Sequence, residues 1–264
     1  MGRLYPCYET PDEIKFKAAM QLKRGKPPVY DRAALKLTDE DRAKLEADGV
    51  TPHWRFKLNV PGRVEFKDRI RGKVSIDLAS VSDPVLIRGD GPVLYTLASV
   101  CDAIDFGITH VVRGSDHVTN TATQIQIIQA LGGEPLSFAH HSLLTGPQGE
   151  ALSKRLGTLA LRDLRKRGIE PMALLSLMAR LGSADPVEVR NSIDEIAENF
   201  DLSRFSSAPT KFDVEDLVPL TAKYVSGLPF EEVAPQIAAL CVPAEIAPDF
   251  WDVARENITF RSDL

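Results

Sequence analysis

Residues 108–144 read ITHVVRGSDHVTNTATQIQIIQALGGEPLSFAHHSLL, and this stretch decides the fold. ITHVVRG is a short apolar strand, and LSFAHHSLL is another. Between them, TNTATQIQIIQALGG has helical spacing, with Ala122, Ile125, Ile128 and Leu131 on one face and glycines at the stop. A helix of that length joining two short apolar strands is the signature of a parallel crossover, hence of an α/β layer. In such sheets ligands bind beyond the carboxyl ends of the strands. That rule selects Arg113-Gly114-Ser115-Asp116-His117 and the chain from Leu144 onward.

Upstream, TLASVCDAIDFG predicts a helix ending at Gly107, and DPVLIR (83–88) a short strand closed by Gly89-Asp90-Gly91. The first ~90 residues are mixed α+β. Thr10-Pro11-Asp12-Glu13 is a helix start with the elements of a capping box, and Thr38–Ala47 is a second helix. HWRFKLNV, RVEFKD and KVSIDL are short strands. Downstream of Gly157 the chain reads as almost entirely helical, over Leu159–Lys166, Pro171–Leu181, Val187–Phe200, Val214–Val225, Phe230–Leu240 and Pro248–Asn257.

The chain has 264 residues, 44% apolar and 26% charged, with a net charge of −5. That balance excludes collagen-like, disulfide-scaffold and wholly disordered chains. No apolar run approaches the ~20 residues of a bilayer span, and the N-terminus lacks the apolar core of a secretory signal. Three cysteines, Cys7, Cys101 and Cys241, are far apart and form no CxxC pair, which points to a reducing, cytoplasmic setting. Two segments are locally basic: seven basic against two acidic residues over 55–73, and six against two over 154–170. Such segments suit a polyanion on one face, or are simply solvated surface.

The segment GPQGEALSKRLG (146–157) places Ser153, Lys154 and Arg155 in a glycine- and proline-bearing loop. A hydroxyl with two cations can neutralise a polyphosphate as a phosphoanhydride breaks; an exposed surface loop is the plainer reading.

The series ITHVVRGSDHVTNTATQIQIIQALG, FAHHSLL and ALSKRLG, preceded by GRLYPCYETPDE, WRFKL and DPVLIRGDGPVLYTLASVCDAIDFG and followed by FDLSRFSSAPTKFDVEDL, resembles the catalytic domain of bacterial glutamyl-tRNA synthetases, class I aminoacyl-tRNA synthetases. The likeness is collinear over essentially the whole chain. It implies α/β plus α architecture: the second half of a Rossmann-like nucleotide domain with its signature loop (93–157), an α+β insertion domain holding the acceptor end before it (1–92), and an all-α stem-contact region after it (158–264). ALSKR, at Ala151, Leu152, Ser153, Lys154 and Arg155, falls on the family's KMSKS motif. Lys154 matches the lysine that stabilises the ATP phosphates, with Ser153 and Arg155 supporting the loop. Ala151 stands where the motif has its first lysine. Arg113, Tyr95 and Ser99 fall on positions that bind glutamate; His117 and Leu144 fall beside the adenine. The implied substrates are ATP with Mg²⁺, L-glutamate and tRNA(Glu), in a cytoplasmic ligase, monomeric as the parent protein, with no membrane association.

Each residue also has a structural reading. Tyr95 can cap the core with its hydroxyl in water, Asp116 can cap the next helix, His117 can be a helix-entry residue, and His140 and His141 can serve packing and surface. Cys7 is followed by Tyr8 and Glu9, without the second thiolate that zinc-binding relatives carry, so no structural zinc is expected. No H-x-G-H segment occurs. The expectation is therefore an internal piece of a longer synthetase, lacking the first half of the nucleotide fold and the anticodon-binding part, and inactive alone. A non-catalytic tRNA- or protein-binding module derived from a synthetase is the alternative.

Overall fold

A computed structural model describes residues 2–150, 152 and 160–264, in two compact units, Met1–His141 and Ser142–Leu264. The first unit opens with strand β1 (Leu4–Cys7) and helix α1 (Pro11–Lys23). Thr10 and Glu13 cap α1 reciprocally, each side chain taking the other's backbone N–H, so two orphan donors of the first turn are satisfied. Thr38 and Asp41 repeat the device at α2 (Asp39–Ala47). Strands β2 (His53–Phe56), β3 (Arg63–Asp68), β4 (Gly72–Asp77) and β5 (Val85–Ile87) follow. Then come α3 (Tyr95–Asp105), β6 (His110–Gly114), α4 (Val118–Leu131) and β7 (Ser137–His141).

These strands form two sheets. One is antiparallel, in the order β1-β2-β5; the other is mixed, in the order β4-β3-β7-β6. As the strand–helix–strand pattern requires, β6 and β7 are parallel, with Arg113 opposite His140. The β3–β4 hairpin extends this sheet, β3 meeting β7 in parallel at Asp68 and Phe138. The larger core of the unit includes Phe56, Leu58, Leu78 and Leu86 with Val100 of α3 and Ile127 of α4, and a smaller one gathers Tyr5, Cys7 and Ala34.

The face of α4 departs from expectation. Ala122 and Ile128 are buried as predicted and Ile125 is partly so, but Leu131 is 52% exposed while Ile127 is buried. Thr121, Thr123, Gln124 and Gln126 are buried as well, because part of this helix packs on a polar centre instead of an apolar one.

Asp83 ties the first region together. Its fully buried carboxylate accepts from Tyr5 Oη at 2.6 Å, Arg32 Nη2 at 2.7 Å and the Leu58 N–H at 2.9 Å. Burial and the bond to Asp83 push the Tyr5 phenol far above its ordinary pKa, so it remains a donor.

The second unit holds β8 (Leu144–Thr145), α5 (Leu161–Lys166), α6 (Pro171–Met178), α7 (Ile193–Glu198), β9 (Thr210–Lys211), α8 (Leu217–Ser226), α9 (Phe230–Ala239) and α10 (Ala247–Ala254). The region is not purely α: β8 and β9 pair in parallel, Leu144 opposite Thr210. The Thr210 N–H donates to Leu143 O and the Phe212 N–H to Thr145 O. The helix expected over 187–200 shortens to α7, because Ser192 caps the Glu195 N–H and the Arg190 N–H is given to Ser176 Oγ. Leu164, Ile169, Leu177, Phe212 and Leu217 form one core, and Val225, Val233, Ile237 and Trp251 belong to another.

Candidate active site

The site grows from the end of β6. The strand delivers Arg113 and breaks at Gly114; a single 3-10 turn over Ser115–His117 leads into α4. Thr121 and Gln124 lie three residues apart on α4 and therefore share a face. Arg113 Nη2 donates to Thr121 Oγ1 and to Gln124 Oε1, both at 2.7 Å. On the neighbouring strand, His140 Nε2 accepts from Arg113 Nε at 3.3 Å. Burial pulls the guanidinium's pKa down, opposed by the Tyr95 hydroxyl and the Asp116 charge, and arginine stays cationic regardless.

Behind Arg113 lies a fully buried pair. His140 and Asp68 are both 0% exposed at their side chains, with His140 Nδ1 2.5 Å from Asp68 Oδ2. Asp68 Oδ1 accepts the N–H groups of Ile70 at 2.9 Å, Arg71 at 2.8 Å and His140 at 3.3 Å. Burial acts to raise the Asp68 carboxyl, but the Arg71, His140 and Ile70 donors outweigh it, and the group titrates below the usual carboxylate range. Burial lowers the His140 pKa; Asp68 opposes this, and Arg113 and Arg71 reinforce it. The ring is therefore neutral, with its proton on Nδ1 facing the carboxylate and its Nε2 lone pair facing Arg113 and Thr121 Oγ1.

In front of Arg113 is a hollow of about 70 Å³ lined by Tyr95, Ser99, Val100, Gln124, Ile128 and Phe138, among others. Tyr95 opens α3, is 58% exposed, and meets the His117 ring edge-on with centroids 6.1 Å apart. Ser99, one turn further along α3, accepts from Gln124 Nε2 at 3.0 Å. His117 sits at the N-cap of α4 without a side-chain cap, its Nδ1 3.3 Å from Asn120 Nδ2 and its Nε2 3.8 Å from Asp116 Oδ2. Tyr95, Ser99, Arg113 and His117 are thus brought together. An anionic group such as a carboxylate is the natural guest of such a site: with its Nε and Nη2 hydrogens given to His140, Thr121 and Gln124, Arg113 keeps its positive charge and its Nη1 hydrogens for a ligand.

Leu144 lies in the second unit, on β8, packed against the core that contains Leu164 and Leu217; Leu152 packs against the same core. Ala151, Ser153, Lys154 and Arg155 lie outside the described residues. Among the described residues no group of three or more His, Cys, Asp or Glu side chains could hold a metal ion, and no helix is long and apolar enough to cross a membrane. Sequence reasoning missed Asp68, Thr121, Gln124 and His140 as partners of Arg113. The available signal was the polar pair Thr121 and Gln124, three residues apart on the helix that follows the strand end.

Residues 1–219 match the family described as tRNA synthetases class I (E and Q), catalytic domain. The chain is 64% identical over its whole length to glutamate--tRNA ligase 1 of Roseobacter denitrificans and to glutamate--tRNA ligase 1 of Ruegeria pomeroyi, covering 60% and 59% of those proteins. It thus spans about 60% of the length of these relatives. Among solved structures it resembles a glutamate tRNA ligase from Elizabethkingia meningosepticum in complex with its amino acid, at a TM-score of 0.84 and 26% identity, covering 100% of this chain and 59% of that one. The glutamate-tRNA synthetase of Elizabethkingia anophelis gives a TM-score of 0.82 at 27% identity, covering 99% and 59%. The chain belongs to the class I tRNA synthetases of the E and Q group, and its mixed α/β architecture is that of their catalytic domain.

Proposed function

We propose that this chain supplies the amino-acid side of the active centre of a glutamate–tRNA ligase, which activates glutamate with ATP and transfers it to the 3′ end of tRNA(Glu). The observation that carries the reading is the Arg113 guanidinium, braced from behind by His140 and Gln124 and fronted by Tyr95 and Ser99 in a small hollow. A fixed guanidinium with its Nη1 hydrogens still to give favours a carboxylate ligand through a charge-assisted hydrogen bond, and the names of the relatives support glutamate as that ligand.

In the first step a glutamate α-carboxylate oxygen attacks the α-phosphorus of ATP, the bond to the β-phosphate bridging oxygen breaks, and pyrophosphate leaves. In the second, a ribose hydroxyl of the tRNA terminal adenosine attacks the carbonyl and AMP leaves. The nucleophile is already anionic, so orientation and charge stabilisation carry the catalysis. Arg113, Tyr95 and Ser99 hold the amino acid; His117 and Leu144 border the adenine; Lys154, with Ser153 and Arg155, neutralises the phosphates. Among the described residues no group of three or more His, Cys, Asp or Glu side chains is placed to hold Mg²⁺; the ion, bound with ATP, would supply further charge neutralisation on the phosphates. Residues 1–92 hold the acceptor end, 93–157 complete the nucleotide fold, and 158–264 follow the tRNA stem, mostly through phosphates, in the cytoplasm.

The test is glutamate- and tRNA-dependent exchange of pyrophosphate into ATP by the full product of the gene. Exchange that requires both glutamate and tRNA supports the reading. Binding of tRNA with no exchange overturns it in favour of the non-catalytic module.

A further inference from the structure

Gln124 bridges Arg113 and Ser99, and its orientation follows from the chemistry of its neighbours. A guanidinium has donors only. The end of Gln124 that lies 2.7 Å from Arg113 Nη2 must therefore be the carbonyl oxygen. The amide nitrogen is then turned to Ser99 Oγ at 3.0 Å. An NH₂ group donates and does not accept, so Ser99 Oγ is the acceptor of that bond. Among the described residues no acceptor takes the Ser99 proton, and Ser99 borders the same hollow as Arg113 and Tyr95.

We infer that Gln124 sets the polarity of the hollow, holding the Ser99 hydroxyl as a donor beside the Arg113 guanidinium so that the site takes a side-chain carboxylate and refuses the isosteric carboxamide. Gln124 is a positioning residue: it acts through Ser99 and Arg113. Glutamate offers acceptors alone on its side-chain terminus; glutamine has the same shape but turns an NH₂ toward donors that cannot receive it. A mismatch of this kind discriminates far more strongly than a size difference does, because it strands buried polar groups. The buried amide of Gln124 is itself fixed at both ends, so the hydroxyl cannot reverse its role at little cost.

The inference rests on Arg113 binding glutamate, and the experiment separates the two. Pyrophosphate exchange by the full gene product is measured with glutamate and with glutamine for the unaltered protein, Gln124→Leu, Ser99→Ala and the double variant. The expected result is that the ratio of kcat/KM for glutamate over glutamine falls about tenfold or more in Gln124→Leu, with most of the change in KM. Ser99→Ala is expected to lower the ratio too, and the two losses are expected to be less than additive in the double variant. A ratio unchanged in Gln124→Leu while both rates fall together would mean a purely structural role and would overturn the inference. So would full additivity. Should Gln124→Leu fail to fold, Ser99→Ala decides alone: it replaces a helical residue by the best helix former, and an unchanged ratio there overturns the inference equally. Absence of glutamate exchange by the unaltered protein would instead overturn the reading of Arg113 on which it stands.

Discussion

Replacing Asp68 by asparagine changes one atom at the most informative place in the first unit. Asp68 Oδ1 already takes the N–H groups of Ile70, Arg71 and His140, and the amide oxygen that Asp68→Asn leaves in its place can keep all three. Only Oδ2 is lost, replaced by an NH₂ facing His140 Nδ1, which lies 2.5 Å away in the parent protein. Two donors cannot share that contact, so the imidazole must move its proton to Nε2. There it meets Arg113 Nε at 3.3 Å, another donor, and only Thr121 Oγ1 at 2.9 Å is left to receive it. The change thus removes one bond to a charged acceptor and strands one guanidinium N–H. At about 1.5–3 kcal/mol for the first and about 1 kcal/mol for the second, the expected loss of stability is roughly 2–4 kcal/mol. Urea unfolding measures that loss, and ¹⁵N shifts of the His140 ring report the tautomer. A loss under about 0.5 kcal/mol, with the ring still protonated on Nδ1, would refute the account of the buried pair.

Because burial holds His140 below its ordinary pKa of 6.5, the unfolded chain binds the extra proton first as pH falls. Stability is therefore full above about pH 6.5 and declines as pH drops below it; thermal melts between about pH 7.5 and about pH 5 should show a falling Tm, and a flat profile would contradict a neutral buried ring. Arg113→Lys loses the fork that serves Thr121, Gln124 and His140 together, so exchange activity should show a glutamate KM raised about tenfold or more, whereas unchanged kinetics would remove Arg113 from the site. Lys154→Ala should slow adenylation by about a hundredfold while tRNA affinity in a filter-binding assay hardly changes, and equal activity would remove Lys154 from its role. Thr10→Ala removes the reciprocal cap of α1 and should cost about 1 kcal/mol in urea unfolding, with no effect if the helix start is held by packing alone.

What the sequence made legible was local. Thr10 with Glu13 announced a helix start, and ITHVVRG and LSFAHHSLL announced the parallel pair, because capping and alternation are set by neighbours in the chain. The strand-end rule found Arg113 for the same reason. What stayed hidden depended on long-range pairing. Asp68 and His140 are 72 residues apart, and no spacing reveals that a β3 carboxylate will reach a β7 ring. The β3–β4 hairpin joining the sheet of β6 and β7, and the two-residue pairing of β8 with β9, are likewise settled by tertiary contacts alone. The inner face of α4 misled a purely apolar reading because Thr121 and Gln124 serve a cation there.

The Asp83 carboxylate bears on how this region can change over generations. It is shared by Tyr5, Arg32 and the backbone at Leu58, so a substitution at any one of these side chains leaves the others facing an altered guest. A change at Tyr5, Arg32 or Asp83 strips a buried polar group of a partner, so these distant positions are energetically coupled.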